Sequence, residues 1–275
     1  RNILVNLPSE RPIGPVVVLA IALSAARRSH LDAVAVGYES MGTVGMVAEG
    51  GGAAIAAVMG DEQERALERA NAAISVFEIE AKLAKIAYGV RSFAAVPAEA
   101  GQTLATLARL YDMTIVLQPE SSSASYDNYI PQEILFNSGG PMLMVPYIHN
   151  GPLDAHHVGI AWDGSRLAAR AWRDALPFLM GAKAVTVIAV NEEASEASSD
   201  RLVSHLTRRG IAARVQRLTT DRGNVQGAIL SIAAESNMGL LVMGGYGHSR
   251  LHERILGGVT RSMFDIMTVP VLMSH

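Results

Sequence analysis

Short, uninterrupted apolar runs set between helical stretches constrain the fold of this 275-residue chain more than any other feature. "TIVL" at 114–117, "MLMV" at 142–145, "LLVM" at 240–243 and "VLM" at 271–273 show no apolar–polar alternation. A strand with one face in water alternates, so continuous runs predict strands covered on both faces. The second half reads strand "HHVGIAW", helix "SRLAARAWRDALPFLMG" closed by Gly181, strand "AVTVIAV" and helix "ASSDRLVSHLTRRG" ending at Gly210. It continues with strand "AARVQRL", helix "NVQGAILSIAAESN", strand "GLLVMGG", helix "GVTRSMFDIM" and strand "VPVLM". Alternating strands and helices need crossover connections, which implies an α/β fold with an open, mostly parallel sheet.

The first half follows the same order: "NILVNL", a helix over 14–29, "DAVAVGY", a long charge-rich helical region over 61–89, "VRSFAAV", a helix over 100–111 and "MTIVLQP". The mixed charges of 61–85 fit a solvated helix face. Residues 100–117 match 226–243 in pattern, and "GGPMLMVP" (139–146) matches "TVPVLMSH" (268–275), offsets of 126 and 129. Two tandem domains, 1–148 and 153–275, are the simplest organisation, with the Gly151–Pro152 pair marking the join.

Composition narrows the function. The net charge is −3, basic residues are scattered and aromatics are 5 %, which argues against nucleic acid as a partner. The absence of cysteine excludes disulfides, thiolate catalysis and cysteine-ligated zinc; it suits a reducing compartment and equally an exported protein. The longest apolar run, 15–26, is too short to cross a bilayer, follows Glu10 and Arg11 and lacks a cleavage-site pattern. A cytoplasmic protein with neither signal peptide nor membrane partner is the expectation.

The stretch "LVMGGYGHSRLHERILGGVTRSM" (241–263) carries the functional signal. Phosphate is often held by backbone N–H groups that glycine lets approach closely, at a helix N-terminus. Here a strand delivers glycines 244, 245 and 247, and the pair 257–258 opens a helix near Val259. Spacing alone does not separate such a loop from a glycine-rich connection, but a loop at the C-terminal edge of an open α/β sheet stands where such folds bind ligands. Neither G-K-[ST] nor G-x-G-x-x-G is present.

The spacing G-x-x-G-x9-G after a fourth strand, with "AWDGS" (161–165) ending the first and "TVPVLM" forming the fifth, resembles the ATP-binding signature of the universal stress protein family. The resemblance covers both halves and is most specific over 158–275. It implies a Rossmann-like pair of domains joined through their fifth strands as a pseudo-dimer. It implies further that Asp163 contacts the adenine end, that backbone near Val190 lines that side, and that Gly244, Gly247 and Gly257 surround phosphates and ribose. The family usually has Ser or Thr where this chain has Gly258, which keeps the amide and drops the hydroxyl; Thr260 matches another hydroxyl position of the family. The implied ligand is ATP, with ADP or AMP as alternatives and Mg2+ as a companion ion, and a homodimer is the protein partner open to it.

Asp163 is also a plausible turn residue before Gly164. The first half lacks the signature: 120–141 has no G-x-x-G, and Pro8 falls where Asp163 stands, so that half is expected to serve as a packing partner. Glycines 50–52 read as a loop. His149, His156, His157 and His275 fit no standard zinc spacing. His248 and His252, with Glu253, are within reach of a nucleotide's phosphates or face solvent. No Ser–His–Asp order or nucleophile elbow stands out, so catalysis is not expected beyond slow ATP hydrolysis. The readings in competition are a stress-response or regulatory protein binding ATP, a binder of another small molecule or lipid, and a slow hydrolase.

Overall fold

The computed structural model describes residues 1–39, 52–245, 263, 264 and 266–275, with 52–58 described by backbone alone. In the first half, among the described residues, β1 (Asn2–Leu7), α1 (Gly14–Arg27), β2 (His30–Tyr38), α2 (Gly52–Ala84), β3 (Tyr88–Ala95), α3 (Pro97–Ala108) and β4 (Met113–Leu117) alternate. A 3-10 turn (Tyr126–Tyr129), α4 (Ile130–Asn137) and β5 (Met142–Val145) follow. The second half contains β6 (His157–Ala161), α5 (Arg166–Asp174), α6 (Leu176–Leu179), β7 (Ala184–Val190), α7 (Ser199–Arg208), β8 (Ala213–Leu218), α8 (Val225–Glu235), β9 (Leu240–Gly244) and β10 (Val271–Ser274).

The ten strands among the described residues form one sheet in the order β3-β2-β1-β4-β5-β10-β9-β6-β7-β8. Each half therefore has its own strands in the order 3-2-1-4-5, and the halves meet where β10 pairs antiparallel with β5, Leu272 opposite Leu143. Every other pairing is parallel. The expected α/β class and the joining of fifth strands both appear in this sheet.

The continuous apolar runs are explained by two cores, one on each face. Leu143, Val145, Leu240, Val242 and Leu272 point to the face covered by α1, α2, α5, α6 and α7. Met142, Met144, Leu241, Met243, Val271 and Met273 point to the face covered by α3, α4 and α8. Most of the buried methionines lie on that second face, where an unbranched chain fills irregular gaps.

Register corrects the repeat alignment. Leu143 and Leu272 are equivalent across the join; their parallel partners are Ile115 and Val242, whose own chains lead to Val5 and Ile160. The fourth strands are thus offset by 127 residues, where pattern matching gives 126. A one-residue slip exchanges the two faces of a strand, and the observed cores agree with 127, since Ile115 and Val242 lie on the same face. The same register puts Pro8 opposite Asp163, as expected.

The helix expected over 165–181 is two helices. Pro177 has no N–H and its ring crowds the carbonyl of Arg173, so α5 stops at Asp174 and α6 restarts at Leu176. Gly181 therefore closes only the short second piece, whereas Gly210 takes the left-handed conformation (φ 78°) that a helix end favours.

Candidate functional site

Strand order reverses direction between β6 and β9, which makes the C-terminal ends of these strands the switch point of the second half. Asp163, two residues past β6, stands beside it and is exposed. Its Oδ1 accepts the Ser165 N–H at 2.9 Å across Gly164, whose φ of 73° permits the tight turn. Ser165 then caps α5 by accepting the Ala168 N–H at 3.1 Å. One carboxylate oxygen is engaged in the turn, so both readings of Asp163, turn former and ligand contact, fit its position. The Trp162 indole donates to the Ala197 carbonyl (2.8 Å), and Ala197 packs against Gly164, so the chain after β7 lies against this turn.

Val190 ends β7 and is half-buried against the core on the α8 face. Gly244 ends β9. A Cβ there would lie 2.6 Å from the Ala168 nitrogen and 2.7 Å from the Leu167 carbonyl carbon, so the first turn of α5 passes directly over the strand end. Only glycine lets strand and helix approach so closely. Asp163, Val190 and Gly244 are thereby brought to one edge of the sheet, beside the N-terminus of α5. Gly247, His248, Gly257, Gly258, Val259 and Thr260 lie outside the described residues, as do His252, Glu253 and Gly50–Gly51. Gly245 has a separate reason to be glycine: a Cβ would meet Leu135 of the first half at 2.9 Å.

The corresponding crevice of the first half, between β1 and β4, is bridged by its own side chains. Arg11, nearly fully buried, donates from Nη1 to the Gln118 carbonyl (2.7 Å) and to Asn128 Oδ1 (3.0 Å), and its Nη2 faces Glu120 at 3.5 Å. Asp127 accepts the Glu10 N–H (3.0 Å), the Ser9 N–H (3.4 Å) and the Tyr38 hydroxyl (2.9 Å). By register Glu10 corresponds to Ser165, so Asp127 serves the N–H that Asp163 serves in the second half. Burial pushes the Asp127 carboxyl above its ordinary range, and the Glu10 and Ser9 N–H groups with the Tyr38 hydroxyl pull it back. Burial likewise drives the Tyr38 hydroxyl up, reinforced by Asp127. A cavity of about 790 Å³ opens against this network, lined by its Ser9, Glu10, Arg11 and Tyr38 and by Glu62 and Arg69 of α2. Sequence reasoning missed Arg11 and Asp127; charged residues beside the prolines and serines that bracket the crevice were the available signal.

The four histidines weighed as zinc ligands separate. His156 pairs with Asp154 (2.7 Å), while His157 bonds the Ser236 carbonyl and Thr186. His149 bonds the Gly151 carbonyl and His275 the Gly245 carbonyl. Among the described residues no group of three His, Asp or Glu side chains could hold a metal ion, and no helix is long and apolar enough to cross a membrane.

Comparison with known proteins bears on this site. The universal stress protein family model matches residues 155–275, the half that contains Asp163, Val190 and Gly244. The match is confined to that half; the first half has an α/β fold with the same strand order. A universal stress protein from Archaeoglobus fulgidus DSM 4304 aligns over 98% of this chain and 97% of its own, with a TM-score of 0.72 and 16% identity. A functionally unknown protein from Pseudomonas aeruginosa PAO1 aligns over 100% of this chain and 92% of its own, with a TM-score of 0.62 and 14% identity. At these identities the likeness concerns the fold. No curated protein matches the sequence.

Proposed function

We propose that this chain is a tandem member of the universal stress protein family that binds an adenine nucleotide, ATP in the first instance, through its second half. The observation that carries the reading is the placement of Asp163 and Gly244 at the switch point between β6 and β9, with Val190 at the end of the adjoining β7, in the half that the family model matches. Asp163 and the backbone near Val190 face the adenine end. Gly244, with Gly247 and Gly257 of the signature, leaves backbone amides free for ribose and phosphates, and Mg2+ accompanies the triphosphate. Gly258 contributes an amide without a hydroxyl, and His248, Val259 and Thr260 complete the loop. The first half, its crevice bridged by Arg11 and Asp127, acts as a packing partner. The protein works as a cytoplasmic stress-response regulator whose nucleotide biases its shape, its partners or its assembly into homodimers.

Two measurements test this. Mass spectrometry of ligand released from the purified protein should find an adenine nucleotide near one per chain. Calorimetry should show binding that Gly247→Val abolishes and Asp163→Ala weakens about ten-fold, the loss of one good polar contact. A released fatty acyl species, or no binding at millimolar ATP, would exclude the reading.

A further inference from the structure

Two described residues on either side of segment 246–262, Gly245 before it and Phe264 two positions after it, are both held by the first half. Gln118 is 1 % exposed and occupies the register position of Gly245; its N–H donates to the Val145 carbonyl (2.8 Å) as the Gly245 N–H donates to Ser274 (2.9 Å). Where Gly245 has no side chain, Gln118 has an amide that reaches across the join. Its nitrogen donates to the Phe264 carbonyl at 2.8 Å, and its oxygen accepts the Tyr147 N–H at 3.2 Å. On the opposite side Leu135 packs on Gly245, and the His275 ring bonds the Gly245 carbonyl (3.0 Å) while meeting Phe136 edge-on at 4.8 Å.

We propose that Gln118 of the first half is a positioning residue for the second half's site, acting through the Phe264 carbonyl. A buried amide with both ends engaged holds its partners in one geometry, because releasing either leaves a polar group without water or a partner. The first half then does more than cover a sheet edge: it holds a backbone carbonyl of the second half from across the join. The effect on ligand rests on the nucleotide reading above, whereas the effect on Phe264 does not.

The test uses the full chain with Gln118→Met, which removes both bonds at similar size, and Gln118→Glu, whose carboxylate still accepts from Tyr147 but cannot donate to Phe264. Hydrogen exchange in peptides covering 263–275 should quicken about ten-fold in both, with β1 and β2 peptides unchanged, and ATP should bind about ten-fold more weakly. Faster exchange at 263–275 in a chain whose wild type binds no ATP would retain Gln118 as a positioning residue and discard the nucleotide reading. Unchanged exchange at 263–275, or acceleration spread equally over β1 and β2, would overturn the proposal.

Discussion

Replacing Gly244 with alanine tests the closest approach in the site. The added Cβ would sit 2.6 Å and 2.7 Å from two backbone atoms of α5, neither of which can rotate away. Ordinary carbon contacts begin near 3.4 Å, so β9 and α5 must part by about 0.8 Å. That displacement loosens Leu167, Ala168, Ala171 and Trp172, the buried face of α5. Overpacking of this kind costs about 1–3 kcal/mol. Taking about 2 kcal/mol, Tm should fall by roughly 4–8 °C for a chain of this size. The control is Gly60→Ala, in the exposed part of α2 with nothing within 4 Å, where the more restricted unfolded chain should gain about 0.5–1 kcal/mol. Urea unfolding followed by circular dichroism reads both. If Gly244→Ala unfolds within 0.5 kcal/mol of the wild type while Gly60→Ala stabilises as expected, the close packing of helix on strand is refuted.

Two further outcomes are expected. Asp127→Ala strands the Tyr38 hydroxyl and the Ser9 and Glu10 N–H groups, and at about 1–3 kcal/mol for each donor left dry should destabilise by about 3 kcal/mol; denaturant titration showing a loss below 1 kcal/mol would mean that water replaces the carboxylate. Burial opposes ionisation of Glu192, but the Ser199 N–H and hydroxyl together with Arg217 outweigh it, so its folded value lies below the ordinary one. Its stabilisation is present above about pH 4.5 and lost as pH falls through the folded value, and Arg217→Ala should flatten that part of the stability–pH curve.

The layered fold was legible because the two sheet faces leave a clear mark on sequence: strands such as "LLVM" and "MLMV" are apolar at every position. The half-to-half repeat was legible for the same reason, though only to within one residue, since a run apolar on both faces looks alike in either register. The break at Ala175 needed Pro177 to be weighed against an otherwise unbroken helical pattern. Asp163 and Gly244 were findable because each is tied to a local turn or close approach. Arg11, Asp127 and Gln118 were not, because each has a partner more than a hundred residues away in sequence and no local period predicts such a pairing.

The difference between the halves follows from where each first helix begins. By register Arg166, the first residue of α5, corresponds to Arg11, whereas α1 starts only at Gly14. In the second half the early helix crowds the end of β9 and requires Gly244; in the first half the delayed helix leaves that position to Leu117, a full-sized buried side chain. The later start also leaves Arg11 in the connection, free to reach back to the Gln118 carbonyl. With Pro8 in place of the turn's aspartate, the Glu10 N–H needs another acceptor, and Asp127 supplies it from the segment after β4. Each change thus requires the next. Restoring aspartate at position 8 alone would set a second carboxylate beside Asp127 and would not recreate the second half's turn.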